Sequence, residues 1–209
     1  MNLQWKKWCV LPVAVVVAGT VALAQDPSAT PNPKPKSEVG KRAENQQDRI
    51  AQGVKSGQLT AGETANLETK EAAVNGEVKA DRTANGGKLT AEEKAQVNRQ
   101  QNHLSNQIYR DKHNAATQHY GNNEVDQRRE NQQDRIAQGV KSGQLTAGET
   151  AKLENQQRGI NQQVRADRAA NGGKLTAGEK AQVNKEQNQT SKNIYRKKHN
   201  ARKQPGTKK

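Results

Sequence analysis

Two groups of residues in this chain have types and spacings that could do chemistry: oxygen-bearing side chains at four repeated turns, and cations gathered near one end. The turns read Gly57-Gln58-Leu59-Thr60 with Glu63, Gly87-Lys88-Leu89-Thr90 with Glu93, and the same pattern from Gly143 to Glu149 and from Gly173 to Glu179. Thr three residues before Glu is the pattern of a capping box. The hydroxyl accepts from the third helical amide and the carboxylate accepts from the amide of the cap. The same oxygens could instead ligate a hard cation. Near the C-terminus Lys192, Arg196, Lys197, Lys198, Arg202, Lys203, Lys208 and Lys209 follow one another with no acid among them. Such an array suits salt-sensitive attraction to an anionic envelope polymer or lipid surface. A solvated tail without a partner is the plain alternative. Tyr195 is the only aromatic nearby, so stacking on bases, and with it nucleic acid, is not expected.

The G-x-L-T-x-x-E turns resemble the second half of an EF-hand calcium loop, with Gly87, Leu89 and Glu93 in its Gly, aliphatic and final Glu places. The resemblance implies a calcium module. In that reading a lengthened loop draws on Asp81, Asn85 and Glu92 or Glu93, and its counterpart uses Asp167, Asn171 and Glu179. The turns depart from the loop at its first ligand places, where Arg82, Ala84 and Gly86 stand, against roughly six to eight oxygens around calcium. Capping with no cofactor is therefore the expectation, and Ca2+ binding the alternative.

The segments Ile108 to Asn114 (IYRDKHN) and Ile194 to Asn200 (IYRKKHN) place Tyr and His four apart, on one helical face. Histidine near a helix C-terminus is favoured when charged. His103 and His119 face Gln189 and Pro205 in the second copy, so a shared metal site is not expected. Ser105 and His113 are eight residues apart on one helix, roughly 12 Å along its axis, and no catalytic arrangement emerges. Neither an enzyme nor a small-molecule substrate is expected. The LTAGE and IYRxKHN segments resemble those of secreted bacterial helical-repeat proteins, which implies export and helical repetition but no activity.

Composition agrees with a non-catalytic role. The 209 residues include 35 Lys+Arg and 21 Asp+Glu, a net charge of +14, with 30% hydrophobic and 2% aromatic residues. A deep-cored enzyme domain is normally nearer half apolar. Lys6 and Lys7, the apolar run Cys9 to Val21 and Ala22-Leu23-Ala24 form a secretory signal (1–24) cut after Ala24, directing the chain to a bacterial periplasm or exterior. Residues 25–40, with Pro27, Pro31, Pro33 and Pro35, read as an extended disordered linker.

The elements that must position these side chains are helical. No proline occurs from Lys36 to Gln204, and Ala, Gln, Glu, Lys and Arg dominate, so the fold class is all-α. Residues 44–65 recur unchanged at 130–151, and the offset of 86 continues to Asn114 and Asn200. The chain reads as a tandem duplication of a three-helix unit, residues 41–123 and 124–203, with a basic tail at 204–209. Helices are expected at about 41–55, 60–85, 90–115, 126–141, 146–171 and 176–202. Leu67, Val74 and Val78, then Val97, Leu104 and Ile108, give each long helix one narrow apolar stripe. Gln101 and Gln187 interrupt it. From Gln25 onward only 21 residues are Ile, Leu or Val, so a marginal core stabilised by capping and self-association is expected.

Overall fold

The computed structural model describes residues 37–205. The signal segment and cleavage point at Ala24, residues 25–36 of the linker, and Lys208 and Lys209 lie outside them. The described residues form six helices: α1 (Glu38–Lys55), α2 (Ala61–Ala84), α3 (Ala91–Lys112), α4 (Glu124–Lys141), α5 (Ala147–Ala170) and α6 (Ala177–Lys198). No strand occurs among the described residues. The all-α class is as expected, and helices of 18, 24 and 22 residues recur in order.

Each boundary has a local cause. All four Thr-x-x-Glu pairs close both arms of a capping box, satisfying amides that an uncapped helix would leave without partners. Gly57 (φ 71°) and Gly143 (φ 67°) take the left-handed conformation before the turn, which glycine adopts without steric cost. The leucines preceding the caps do not act as local staples. Leu59 and Leu145 are buried in the two main apolar clusters. α1 begins at Glu38, earlier than the linker composition suggests, because Ser37 caps it by accepting from the Gly40 amide. α3 and α6 stop at Lys112 and Lys198, short of the expected ends, because His113 and His199 occupy the C-cap positions.

The two halves pack reciprocally. α2 makes its most extensive contacts with α5, and α1 with α4, while α3 packs on α1 and α2 and α6 on α4 and α5. A Cβ on Gly62 would meet Arg158 at 3.3 Å, and one on Gly148 would meet Ala72 at 3.9 Å. Positions 62 and 148, like 72 and 158, are equivalent under the offset of 86, so α2 and α5 run antiparallel across a pseudo-twofold seam. The apolar clusters cross between the halves beside that seam, where α1 meets α4. Ala137 of the second half completes the cluster of Ile50, Val54, Leu59, Leu67, Leu104 and Ile108, and Ala51 of the first joins Ile136, Val140, Leu145, Leu153 and Ile194.

The interruptions of the stripe are buried hydrogen-bonding residues. Gln101 donates to the Val39 carbonyl (3.0 Å) and Gln187 to the Val125 carbonyl (2.8 Å), tying α3 and α6 to the first turns of α1 and α4. In return Gln46 and Gln132 donate to the carbonyls of Gln101 (2.7 Å) and Gln187 (2.6 Å). The donor ends of these buried amides are satisfied, while the side-chain oxygens of Gln46, Gln101 and Gln187 have no donor. These bonds fix helix register where apolar contacts are sparse.

Two glycines separate packing from propensity. A Cβ on Gly139 would lie 2.7 Å from both Leu145 Cδ1 and Cγ, whereas one on Gly159 meets nothing within 4 Å. Gly139→Ala is expected to destabilise by about 1–3 kcal/mol through overpacking, and Gly159→Ala to stabilise by about 0.5–1 kcal/mol through helix propensity. Urea denaturation of the two variants checks the opposite signs.

Candidate polyanion interface

The turns come first, because they carry the oxygens of the calcium reading. Asp81, Asn85 and Glu93 are brought together, as are Asp167, Asn171 and Glu179. In both sets, however, the glutamate oxygens face amide donors, while Asp167 Oδ2 is buried without a partner. Glu93 accepts from the Thr90 amide at 2.8 Å and from Asn85 Nδ2 at 2.8 and 2.9 Å. Glu179 accepts from the Thr176 amide at 2.8 Å and from Asn171 Nδ2 at 2.9 and 3.0 Å. The cap amides and the Asn side chains hold both carboxyls below the ordinary carboxylate range. Asp81 moves the other way, raised by desolvation and by Glu93 and Glu77. Asn85 and Asn171 turn their donors, not their oxygens, toward the glutamates, so this donor set fits a helix cap and does not fit a calcium ion. Among the described residues no group of three or more His, Cys, Asp or Glu side chains is placed to hold a metal ion.

The KHN ends of α3 and α6 serve as clasps. Asn114 and Asn200 donate to the capping glutamates Glu63 and Glu149, each at 2.6 Å. Their side-chain oxygens accept from the amides of Ala116 and Arg202, each at 2.8 Å. His113 and His199 bring Nδ1 to 2.6 and 2.7 Å from the carbonyls of Tyr109 and Tyr195, and stack on those tyrosine rings at centroid distances of 4.2 and 4.1 Å. Beyond the clasp Gln118 and Gln204 donate their amides to the Gly57 and Gly143 carbonyls at 2.8 and 3.0 Å. Gln204 is buried, its Oε1 accepting from the Ala147 amide at 2.7 Å, so ordered structure extends past the expected domain end at 203.

This docking redistributes the C-terminal cations. Lys192, Arg196, Arg202 and Lys203 are exposed, and Lys197 is half-buried. Lys198 does not belong to the exposed set. Its stem lies against Gly139, its Nζ donates to Gln138 Oε1 at 3.0 Å, and desolvation followed by nearby Arg135 lowers its pKa. Lys112 does the same against Gly53. The conserved offset therefore makes both lysines structural. Arg202 reaches to 4.0 Å from Glu149 Oε1 while its side chain stays 76% exposed, a pair of little energetic weight.

Around the exposed cations lies a groove of about 460 Å³ lined by Arg135, Lys192, Tyr195 and Arg196. A second concavity of about 330 Å³ runs between α1 and α4, lined by Lys55, Asp134, Arg135 and Lys141. Arg135 borders both, so a track of Lys55, Lys141, Arg135, Lys192 and Arg196 links them, with the carboxylate of Asp134 among the cations. Tyr195, 59% exposed, lies on it. The α1 and α4 members were invisible to a search for charge runs because they sit singly in the duplicated segment, each next to neutral or acidic residues.

The equivalent face of the first half is less basic. It keeps Arg49 and Arg110 where Arg135 and Arg196 stand, but Asn106, Asp111, Ala116 and Thr117 replace Lys192, Lys197, Arg202 and Lys203. On the same backbone and around an equally exposed Tyr109, the second half adds four cations to a shared pair of arginines. Comparison with protein-family models, with curated proteins and with solved structures finds no match to this chain.

The clasp is separable from the charge. Asn200→Ala is expected to speed amide hydrogen exchange at Arg202 and Gln204 about tenfold, from the loss of roughly 1–1.5 kcal/mol of local hydrogen bonding. Unchanged protection at both amides would show that residues 199–204 are held by something other than Asn200.

Proposed function

We propose that this protein is a non-catalytic exported scaffold whose second half binds an anionic envelope surface through the track of Lys192, Arg196, Lys203 and Arg135. The observation that carries the reading is the charge asymmetry between two halves of the same backbone. Packing, capping and clasping need none of the four substituted cations, because the first half does the same structural work with Asn106, Asp111, Ala116 and Thr117. Charge placed on an otherwise equivalent face is explained by an external partner. Export rests on the segment preceding Gln25, with its Lys6-Lys7 pair and Ala22-Leu23-Ala24 end. Among the described residues no helix is long and apolar enough to cross a membrane.

The test is binding to anionic vesicles at low and high salt. Each cation near an anionic surface contributes about 1 kcal/mol, so the triple variant Lys192→Gln, Arg196→Gln, Lys203→Gln is expected to weaken binding roughly 100-fold at low salt. Lys198→Met, which removes a charge of the same sequence run from a structural position, is expected to lower thermal stability while leaving vesicle affinity within about twofold. Equal affinity of wild type and the triple variant, or binding insensitive to salt, would contradict the reading.

A further inference from the structure

The seam between the halves buries three carboxyl groups. Glu68 and Glu71 of α2 and Glu154 of α5 are fully buried. Glu68 and Glu154 are equivalent positions, and each accepts one hydrogen bond, from Gln47 Nε2 at 3.0 Å and from Gln133 Nε2 at 2.9 Å. The second oxygen of each has no partner, and neither oxygen of Glu71 has one. The amide oxygens of Gln46, Gln47 and Gln157 beside them are also without donors. Against these acceptors stands one unpaired buried donor, Asn75 Nδ2, one turn from Glu71, so acceptors still outnumber hydrogens. An ionised carboxylate there would add charge without adding a donor.

The second half shows what the first half lacks. At the position equivalent to Glu71 stands Gln157, whose Nε2 donates to Gln132 Oε1 at 2.8 Å. Gln132 in turn donates to the Gln187 carbonyl and to Ser191. Gln46 makes the same two donations, to the Gln101 carbonyl and Ser105, yet its Oε1, the counterpart of the atom that receives Gln157, receives nothing. A carboxylic acid at Glu71 supplies the missing donor in the place where the other half uses an amide.

We propose that Glu68, Glu71 and Glu154 are protonated in the folded protein at mildly acidic pH, with Glu71 donating its carboxyl hydrogen to Gln46 Oε1, and that losing these protons as pH rises through neutrality loosens the seam between the halves. Burial favours this state. Burial raises Glu71 to about 7, against a smaller opposing effect of Asn75 one turn along α2. Burial raises Glu154 to about 8, opposed by Gln133 of α4. Glu68 is raised well above the ordinary range by burial, opposed by Gln47 of α1, with Glu71 and Glu154 adding to the rise. From the loop before α4, the Tyr120 hydroxyl is pushed up by burial and by Glu154. The cation on that side is Arg129, 5.3 Å from the Tyr120 ring centroid and paired with Asp126.

A carboxyl with a raised folded-state pKa contributes stability that is fully present below its unfolded value, near 4.5, and is lost as pH rises through the folded value. The window is therefore pH 4.5 to about 7 for Glu71 and to about 8 for Glu154. The test compares the pH dependence of the urea midpoint of the full chain with that of Glu71→Gln and Glu154→Gln between pH 5 and 9. Both variants are expected to flatten the alkaline fall, and Glu71→Gln to exceed wild type at pH 9 because Gln157 shows that an amide satisfies that position. Infrared spectra of the wild-type chain at pH 6 provide a readout that needs no variant to fold. A carboxylic-acid C=O band that disappears by pH 9 is expected. Absence of that band at pH 6, or variants whose midpoints run parallel to wild type across the whole range, would overturn the proposal.

Discussion

The seam between α2 and α5 is the constraint on which the rest of this structure depends. Each long helix carries a single narrow apolar stripe, and a three-helix unit with so few branched residues has little to bury by itself. The stripes of α3 and α6 are used up within their own halves, against α1 and α2 and against α4 and α5. The remaining faces of α2 and α5, lined by Ala, Thr, Glu and Gln, find cover only on each other. Because the pairing is reciprocal, it doubles every contact it makes. Beside it α1 and α4 pair in the same reciprocal way, Ala51 and Ala137 each entering the apolar cluster of the opposite half, so neither cluster closes without the other half. The arrangement has the geometry of an isologous dimer interface held within one chain.

Such a scaffold separates what must repeat from what can differ. The capping boxes, the left-handed glycines, the Asn114 and Asn200 clasps and the Gly53 and Gly139 notches are kept in both halves because each ends or joins a helix. The outer faces of α3 and α6 are released from that requirement, and there the halves diverge from Asn106 and Asp111 to Lys192 and Lys197. The buried polar residues also divide along these lines. Gln46, Gln101, Gln132 and Gln187 tie helix to helix through backbone carbonyls, while Glu71 and Gln157 differ at one position of the seam, trading an acid for its neutral isostere.

Much of the fold was legible in the sequence because the informative residues act locally. Thr60 with Glu63 and Gly57 before them specify a turn whatever surrounds them, and proline-free periodic stretches specify helices. Ser37 was passed over because it lies at the end of a proline-rich segment, where composition masks a single capping residue. Lys198 was misread for a different reason. A lysine in a cationic run carries no mark of burial, and only the notch left by Gly139, distant in sequence, accounts for it. The seam glutamates were illegible for the same physical reason, since nothing local distinguishes Glu68 and Glu154 from the glutamates of these helices that face water. Which half-unit pairs with which could not be read either, because near-identical halves offer identical partners.

The dependence of each half on the other is tested most directly by residues 36–123 alone, followed by circular dichroism and sedimentation over a wide concentration range. The reciprocal seam predicts a fragment that is largely unfolded when monomeric and gains helix only as it associates with a second copy through α2. A fragment that is fully helical and melts cooperatively as a monomer, independent of concentration, would contradict the account.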